Sequence, residues 1–174
     1  IPGSRELAKG DILSLDFGII CEGFHGDSAI TVPIGAIDEQ AEKLLEVTQE
    51  CLDLGIEQMV PGKRLSDIGH AVETRADAAG FSVVRQFVGH GIGRLLHEPP
   101  QIPNYGRSGR GPRLLPGMVF AIEPMVNIGT EKVRMLDDEW TAVTADGALS
   151  GHFEHTVLIT ENDPEVLTRI EGSH

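Results

Sequence analysis

Two segments near the start of the chain are apolar and rich in β-forming residues. They cover residues 12–20 (ILSLDFGII) and 24–32 (FHGDSAITV), and they are separated by Glu22-Gly23, which is a turn signal. This pattern predicts a β-hairpin in which Glu22 and Gly23 are the two central residues.

The predicted hairpin brings two carboxylates to one face of the sheet. In this register Asp27 lies opposite Gly18 and diagonal to Asp16. Diagonal neighbours on one face are about 7–8 Å apart at the backbone, so the two side chains can reach a common ligand. Carboxylates that point inward from apolar strands are costly unless a positive charge lies between them. We therefore expect both aspartates to engage a cation.

Apolar residues spaced three and four positions apart predict two helices further along the chain. The first follows a cap at Asp38, and the second follows Ser66 and ends at Gly80. The buried face of the first helix is expected to hold Ala41, Leu44, Leu45, Thr48 and Leu52. The buried face of the second is expected to hold Ile68, Val72, Ala76 and Ala79.

The second half of the chain predicts short strands joined by loops. Strands are expected at 81–84, 118–122, 140–143 and 153–160, and a long loop at 99–116. The last strand alternates, with Glu154 on one face and His155 on the other. Two helices among hairpin-connected strands favour an α+β fold over a doubly wound parallel sheet. We treat residues 1–174 as one domain and set 172–174 (GSH) aside as a cloning remnant.

Composition narrows the class of protein. The chain has 174 residues and a net charge of -13, a balance that should repel nucleic acid. No apolar run approaches the ~20 residues of a membrane helix. Cys21 and Cys51 form no CxxC pair, and we interpret them as reduced thiols of a cytoplasmic chain. For the loop with Arg107, Arg110 and Arg113, a solvated surface is favoured over a contact with ribosomal RNA.

A glycine-rich stretch at 87–100 (FVGHGIGRLLHEPP) carries candidate chemistry. Glycines frame His90, and His97 follows seven residues later. Glycine allows the backbone to approach another group closely, and histidine is both a common metal ligand and a proton carrier. The stretch is not a phosphate loop, because no Gly-Lys-Ser/Thr follows it and the Rossmann spacing is wrong.

Two glutamates extend the candidate site. Glu123 ends the apolar strand MVFAI, and Glu154 opens the polar face of the last strand. With the two aspartates and His90 they form a predicted oxygen-rich set of five ligands. Such a set suits one or two divalent cations better than a structural zinc, which favours Cys and His. The HExxH signature of zinc proteases is absent, since HFEH at 152–155 has a different spacing.

Four segments resemble the motifs of one known family. GDILSLDFGIICEGFHGDSA resembles the metal-binding hairpin of methionine aminopeptidases, and FVGHGIGRLLHEPPQIPNYG resembles their glycine-histidine motif. PGMVFAIEPMVNIG and SGHFEHTVLIT resemble their two glutamate strands, and the short interval between these resembles the bacterial type I branch. The resemblance implies a pita-bread α+β fold, incomplete at its N-terminus. In this fold a curved antiparallel sheet carries helices on its outer face.

The resemblance also implies roles for the five ligands. Asp16 would hold one metal ion, and Asp27 and Glu154 would bridge two ions. His90 and Glu123 would complete the shell of the second ion. A water or hydroxide between the ions would attack the first peptide carbonyl, with Glu123 as the proton shuttle. The two divalent ions are expected to be Co, Mn, Fe or Zn.

Three further residues are implied to meet the substrate. His97 would lie beside the scissile carbonyl, and Trp140 and Leu96 would line the pocket for the methionine side chain. A phenylalanine is common in the family where this chain has Leu96. The implied substrate is the initiator methionine of a nascent protein, which also implies transient contact with the ribosome and no contact with a membrane.

The family has an upstream portion, with a further active-site histidine, that this sequence does not contain. We therefore expect weak or absent peptidase activity from this chain. We also expect either a monomer or self-association through the apolar surface of 12–32. Two alternatives stay open: a proline-directed dipeptidase or aminopeptidase P of the same fold, and a metal-binding module without catalysis.

Overall fold

The structure, a computed structural model, describes residues 3–169, and within them it has two helices and twelve strands. The helices are α1 (Glu39–Ile56) and α2 (Leu65–Ala79). The strands of the first half are β1 (Ile12–Cys21), β2 (Phe24–Pro33), β3 (Ser82–Val83) and β4 (Gly89–Gly91). Those of the second half are β5 (Glu98–Ile102), β6 (Val119–Ile122), β7 (Met125–Asn127), β8 (Val133–Met135), β9 (Ala142–Thr144), β10 (Ser150–His152), β11 (Glu154–Leu158) and β12 (Glu165–Val166).

The hairpin β1-β2 forms in the predicted register. Gly18 pairs with Asp27, and Asp16 pairs with Ala29. Glu22 and Gly23 have φ values of 49° and 83°. Positive φ at both central positions is the type I′ turn, whose twist matches the twist of the flanking strands. The turn chemistry therefore fixes which side chains share a face.

A seven-stranded sheet forms the framework of the molecule. Its order is β1-β2-β11-β6-β4-β5, with β12 also paired to β11. All of its strand pairs are antiparallel. Strands that are far apart in the sequence thus become neighbours, as β2 and β11 do. A second sheet has the order β10-β7-β3, and β8 pairs with β9.

Both predicted helices are present. The carboxylate of Asp38 accepts a hydrogen bond from the N–H of Ala41 at 2.8 Å and caps α1 as expected. Gly80 ends α2 with a φ of 80°, which is the left-handed conformation typical of a helix C-terminus. The start of α2 was predicted after Ser66 but lies at Leu65. The reason is that the Asp67 carboxylate accepts a hydrogen bond from the N–H of Arg64 at 2.8 Å, so the cap falls at Arg64.

The helices pack on one face of the large sheet and leave the other face for polar groups. Apolar residues of both helices share a core with alternate residues of β6 and its neighbour β11. Successive strand residues point to opposite faces, so Glu154 and Thr156 point away from this core. The core includes Leu52, Ile56 and Ile68 from the helices and Phe120, Ile122 and Val157 from the sheet.

The loop predicted over residues 99–116 is partly wrong, because β5 covers its first residues. β5 pairs with β4, with Gln101 opposite His90. The sequence of β5 contains Pro99-Pro100. Because proline is rare in strands, the residue pattern does not predict a strand here. Proline lacks an N–H and is tolerated at the edge of a sheet, and β5 is the last strand in the sheet order.

The strand predicted at 140–143 begins later, at Ala142. The backbone N–H groups of Trp140 and Thr141 donate hydrogen bonds to Asp138 Oδ1 at 3.0 and 2.8 Å. These side-chain bonds hold the two residues in a turn and prevent them from entering the strand ladder.

The other three predicted strands are confirmed with shorter ends, as β3, β6 and β11. Cys21 is exposed, Cys51 is buried, and both thiols are free. No helix among residues 3–169 has the length and hydropathy needed to cross a membrane. Residues 172–174, set aside from the sequence, lie outside the described residues.

Candidate metal centre

Asp27 is positioned by a pair of hydrogen bonds to the strand that carries Glu154. The N–H of Asp27 donates to the hydroxyl of Thr156, and this hydroxyl donates to the Asp27 carbonyl, both at 2.8 Å. In the ladder between the two strands Ala29 lies opposite Glu154. Asp27 is consequently buried beside Glu154, while Asp16 on the outer strand β1 is exposed.

His90 joins these acids from β4, on the other side of β6. Its Nε2 lies 3.4 Å from Glu123 Oε1 and 4.0 Å from Asp27 Oδ2. One donor atom from each of Asp27, His90 and Glu154 lies within 4.8 Å of the other two. The structure therefore brings together four of the five predicted ligands around His90, and all four are largely buried.

Close backbone packing explains the glycines on either side of His90. A Cβ on Gly89 would lie 2.4 Å from the carbonyl oxygen of Ala121, and one on Gly91 would lie 2.4 Å from that of Pro99. Real Cβ atoms do not approach oxygen so closely. The glycines thus allow β4 to lie tightly between β5 and β6, and this position carries His90 to the acids.

A second group of donors includes the fifth predicted ligand and one residue that was not predicted. Donor atoms of Asp16, His152 and Glu154 all lie within 4.8 Å of one another. Glu154 thus belongs to both groups. His152 was not among the predicted ligands, although it opens the segment HFEH at 152–155. The usable signal was nearness in the sequence, since His152 lies two residues before the predicted ligand Glu154, although it ends β10 and Glu154 begins β11.

The electrostatics of this cluster favour a bound cation. Burial, followed by the neighbouring charges of Glu154, Asp27 and Asp16, raises the pKa of Glu123 to about 9. Burial also raises the pKa of Asp27 and of Glu154 and lowers that of His90. So many buried acids repel one another unless protons or cations neutralise them. A neutral imidazole beside several carboxylates is a donor set that fits a divalent metal ion.

The three predicted substrate residues occupy different surroundings. His97 is exposed, and its ring centroid lies 4.3 Å from that of His90. Leu96 Cδ1 lies 3.5 Å from the position that a Cβ on Gly18 would occupy, so Leu96 covers the hairpin next to Asp27. Trp140 is 69% exposed, on the turn held by Asp138. Their roles toward a substrate stay predictions.

Comparisons with known proteins agree with this geometry. The model of metallopeptidase family M24 matches residues 1–161. The chain belongs to metallopeptidase family M24. The wider metallopeptidase family implied by the four sequence motifs is therefore confirmed.

Two bacterial relatives share more than half of their aligned residues with this chain. The chain is 56% identical over 170 residues to "Methionine aminopeptidase" of Clostridium perfringens and equally identical to "Methionine aminopeptidase 1" of Bacillus subtilis. Both alignments cover 98% of this chain and 68% of the relative, so the chain spans about two thirds of their length.

A solved M24 structure confirms the predicted pita-bread α+β fold. The crystal structure of methionine aminopeptidase from Rickettsia prowazekii superposes with a TM-score of 0.95 at 40% identity. This superposition covers 97% of the present chain and 68% of the solved one.

Proposed function

We propose that this chain is the metal-binding part of a dinuclear aminopeptidase that removes the initiator methionine from nascent proteins. The supporting observation is the convergence of Asp16, Asp27, His90, Glu123 and Glu154. They come from the hairpin β1-β2, from β4, from the end of β6 and from β11. Asp27, His90 and Glu154 form one donor group, with Glu123 Oε1 at 3.4 Å from His90 Nε2, and Asp16 and Glu154 belong to a second group together with His152. Methionine rather than another residue is proposed because the relatives at 56% identity carry that name.

The five ligands would hold two divalent cations. His90 and Glu123 would bind the more buried ion, Asp16 would bind the more exposed one, and Asp27 and Glu154 would serve both. Bound cations of this kind supply Lewis acidity, which lowers the pKa of water and polarises a peptide carbonyl.

Glu123 would move the proton that peptide hydrolysis requires. Its carboxylate is largely buried and lies 3.4 Å from His90, at the inner end of the site. Burial and neighbouring acids raise its pKa to about 9 without cations, which shows how strongly this carboxylate needs a neutralising charge. Glu123 would accept a proton from the attacking water and deliver it to the leaving amine. We expect Glu123→Gln to lower turnover by about 10²- to 10⁴-fold, the usual contribution of general acid-base catalysis.

His97 would orient the substrate carbonyl. Its ring packs on His90 yet remains exposed, so it borders the metal centre from the solvent side. An imidazole N–H in that position can donate a hydrogen bond to the scissile carbonyl. Leu96, half-buried over the hairpin beside Asp27, would contribute an apolar wall for the methionine side chain, and Trp140 would be a further wall.

Crystals grown with Mn²⁺ test the proposed pair of ions. We expect two anomalous peaks a few ångströms apart, ringed by the five side chains. Asp27→Asn should remove at least one peak while the exposed control Asp163→Asn retains both. Peaks located elsewhere on the protein, or none at all, would contradict the proposal.

Peptide hydrolysis tests the substrate. The chain should cleave a Met-Ala-Ser peptide in preference to a peptide with proline in second position, and a chelator should abolish cleavage. A preference for proline in second position would instead support the dipeptidase alternative. Metal binding without any turnover would support the non-catalytic module.

A further inference from the structure

The structure assigns His152 to the metal centre as a sixth ligand, which supplies a nitrogen donor to the ion held by Asp16 and Glu154. We propose this role in addition to the five ligands of the proposed function, on which it rests. Each of the two ions would then have one histidine, His90 on the inner side and His152 on the outer side.

The backbone of His152 is fixed in a way that aims its side chain at the acids. Its N–H donates to Thr31 Oγ1 at 2.9 Å, and its carbonyl accepts from the same hydroxyl at 2.7 Å. Thr31 is itself buried in β2, the strand that carries Asp27. The last residue of β10 is thus tied to the metal-binding hairpin and cannot turn away without breaking two buried hydrogen bonds.

The imidazole Nε2 of His152 is buried and has no hydrogen-bond partner among the described residues. The residue is only 8% exposed. A buried polar atom without a partner is destabilising, so such atoms call for an explanation. A cation bound at Nε2 would satisfy the atom.

The distance to Glu154 favours a shared cation over a direct hydrogen bond. His152 Nε2 lies 3.8 Å from Glu154 Oε2. This is longer than the roughly 2.7–3.2 Å of an N–H···O hydrogen bond. Two donor atoms that are each about 2.1 Å from one ion can lie up to about 4.2 Å apart. The gap therefore has the width that a common metal ion spans.

The resulting donor set predicts which metals bind. Asp16, His152 and Glu154 would offer two carboxylates and an imidazole to the outer ion. The inner group of Asp27, His90 and Glu154 has the same composition. Imidazole binds Mn, Fe, Co and Zn, although with different preference for each. Mg²⁺ and Ca²⁺ prefer ligand sets made only of oxygen. We therefore expect both ions to be transition metals or zinc.

Titration calorimetry with Mn²⁺ and Co²⁺ on the full 174-residue chain tests the assignment. Wild-type protein should bind two equivalents. His152→Ala should weaken one of them by at least about 10-fold and leave the other unchanged. The control His155→Gln should keep both affinities, because His155 lies on the opposite face and its Nδ1 hydrogen-bonds Thr168 Oγ1 at 2.8 Å.

A spectroscopic count of nitrogen ligands separates ligation from packing. Pulsed electron paramagnetic resonance of the Mn²⁺-loaded protein should detect imidazole nitrogen at both ions. His152→Gln, which retains a polar side chain, should keep the fold by circular dichroism yet lose the nitrogen coupling at one ion. Unchanged nitrogen coupling in that variant, or unchanged affinity in His152→Ala, would overturn the assignment. Wild-type protein that binds no divalent cation would overturn the proposed function itself and His152 with it.

Discussion

The hydroxyl of Thr156 holds the backbone of Asp27 through two hydrogen bonds, one accepted and one donated, each 2.8 Å long. This side chain extends the pairing of β2 with β11, in which Ala29 lies opposite Glu154, as far as Asp27. Both residues are buried, so water cannot replace the bonds easily.

Thr156→Val keeps the shape of the side chain and removes both hydrogen bonds. We expect a loss of about 1–3 kcal/mol in the free energy of unfolding, because a buried N–H and a buried carbonyl lose their partner. Metal affinity should fall as well, since Asp27 is no longer held beside Glu154. Urea unfolding and calorimetry measure the two effects. Thr156→Ser retains the hydroxyl and should resemble wild type; equal behaviour of the Val and Ser variants would contradict this account.

Gly89→Ala should damage both folding and metal binding. The new Cβ would lie 2.4 Å from the carbonyl oxygen of Ala121, so β4 must move away from β6 and carry His90 with it. We expect a loss of about 1–3 kcal/mol, which is typical of overpacking, measured by urea unfolding. Gly3→Ala is the matched control, because nothing lies within 4 Å of its Cβ. A Gly89→Ala variant as stable as the control would show that the strand spacing is not tight.

His97→Ala should separate catalysis from metal binding. The ring of His97 touches His90 but is exposed, and it is not among the donors that converge on either group. We expect Mn²⁺ affinity to stay within about two-fold and turnover of the Met-Ala-Ser peptide to fall by about 100-fold or more, as on loss of a carbonyl-polarising donor. Loss of metal from His97→Ala would mean that this histidine is a ligand.

The metal-free protein should become less stable as the pH rises. The pKa of Glu123 is 4.5 when unperturbed and about 9 in the fold. A raised pKa stabilises the fold while the group is protonated, so this contribution is complete at low pH and is lost as the pH rises toward about 9. Asp27 and Glu154 shift in the same direction. Urea unfolding in a chelator between about pH 6 and about pH 9 measures the slope.

Glu123→Gln is the control for this pH dependence. Glutamine resembles the protonated acid and does not titrate, so the variant should lose stability less steeply than wild type over the same range. Added Mn²⁺ should reverse the trend in wild type, because cations bind the deprotonated carboxylates. Identical slopes in the two chelated proteins would mean that Glu123 does not contribute.

The outer edge of β1 should pair with a second copy of this chain. β1 is the end strand of the large sheet, and its ten residues (ILSLDFGIIC) contain neither lysine nor proline to block pairing. Phe17 and Ile19, on the face opposite Asp16, are 63% and 62% exposed. Sedimentation should show a concentration-dependent dimer that Ile19→Lys abolishes. The control Leu167→Lys, at another exposed apolar residue, should still dimerise; a monomer at all concentrations would contradict pairing.

Much of the local structure could be predicted because its causes are local. The turn at Glu22-Gly23, the cap at Asp38 and the αL glycine at Gly80 all depend on residues within one turn of each other. The alternation that places Asp16 and Asp27 on one face follows from the same turn. The four motifs were sufficient to identify the family, which the comparison confirmed.

Other features could not be predicted from local patterns. β5 forms although it contains two prolines, because the neighbouring strand β4 supplies its partner. Trp140 lies outside the strand predicted for it because its backbone N–H donates a hydrogen bond to the Asp138 carboxylate. His152 joins the candidate site because Thr31, 121 residues earlier, fixes its backbone.

The hairpin, the two helices and the types of ligand follow from residue order alone, because turn conformation, capping and periodicity act over a few residues. The side-by-side order of β2, β11, β6 and β4 instead depends on long-range packing, in which the helices cover one face of the sheet. The distances among the acids and histidines follow from that order. A metal centre needs donor atoms a few ångströms apart. A local sequence pattern does not specify the distance in space between side chains on strands that are far apart in the sequence.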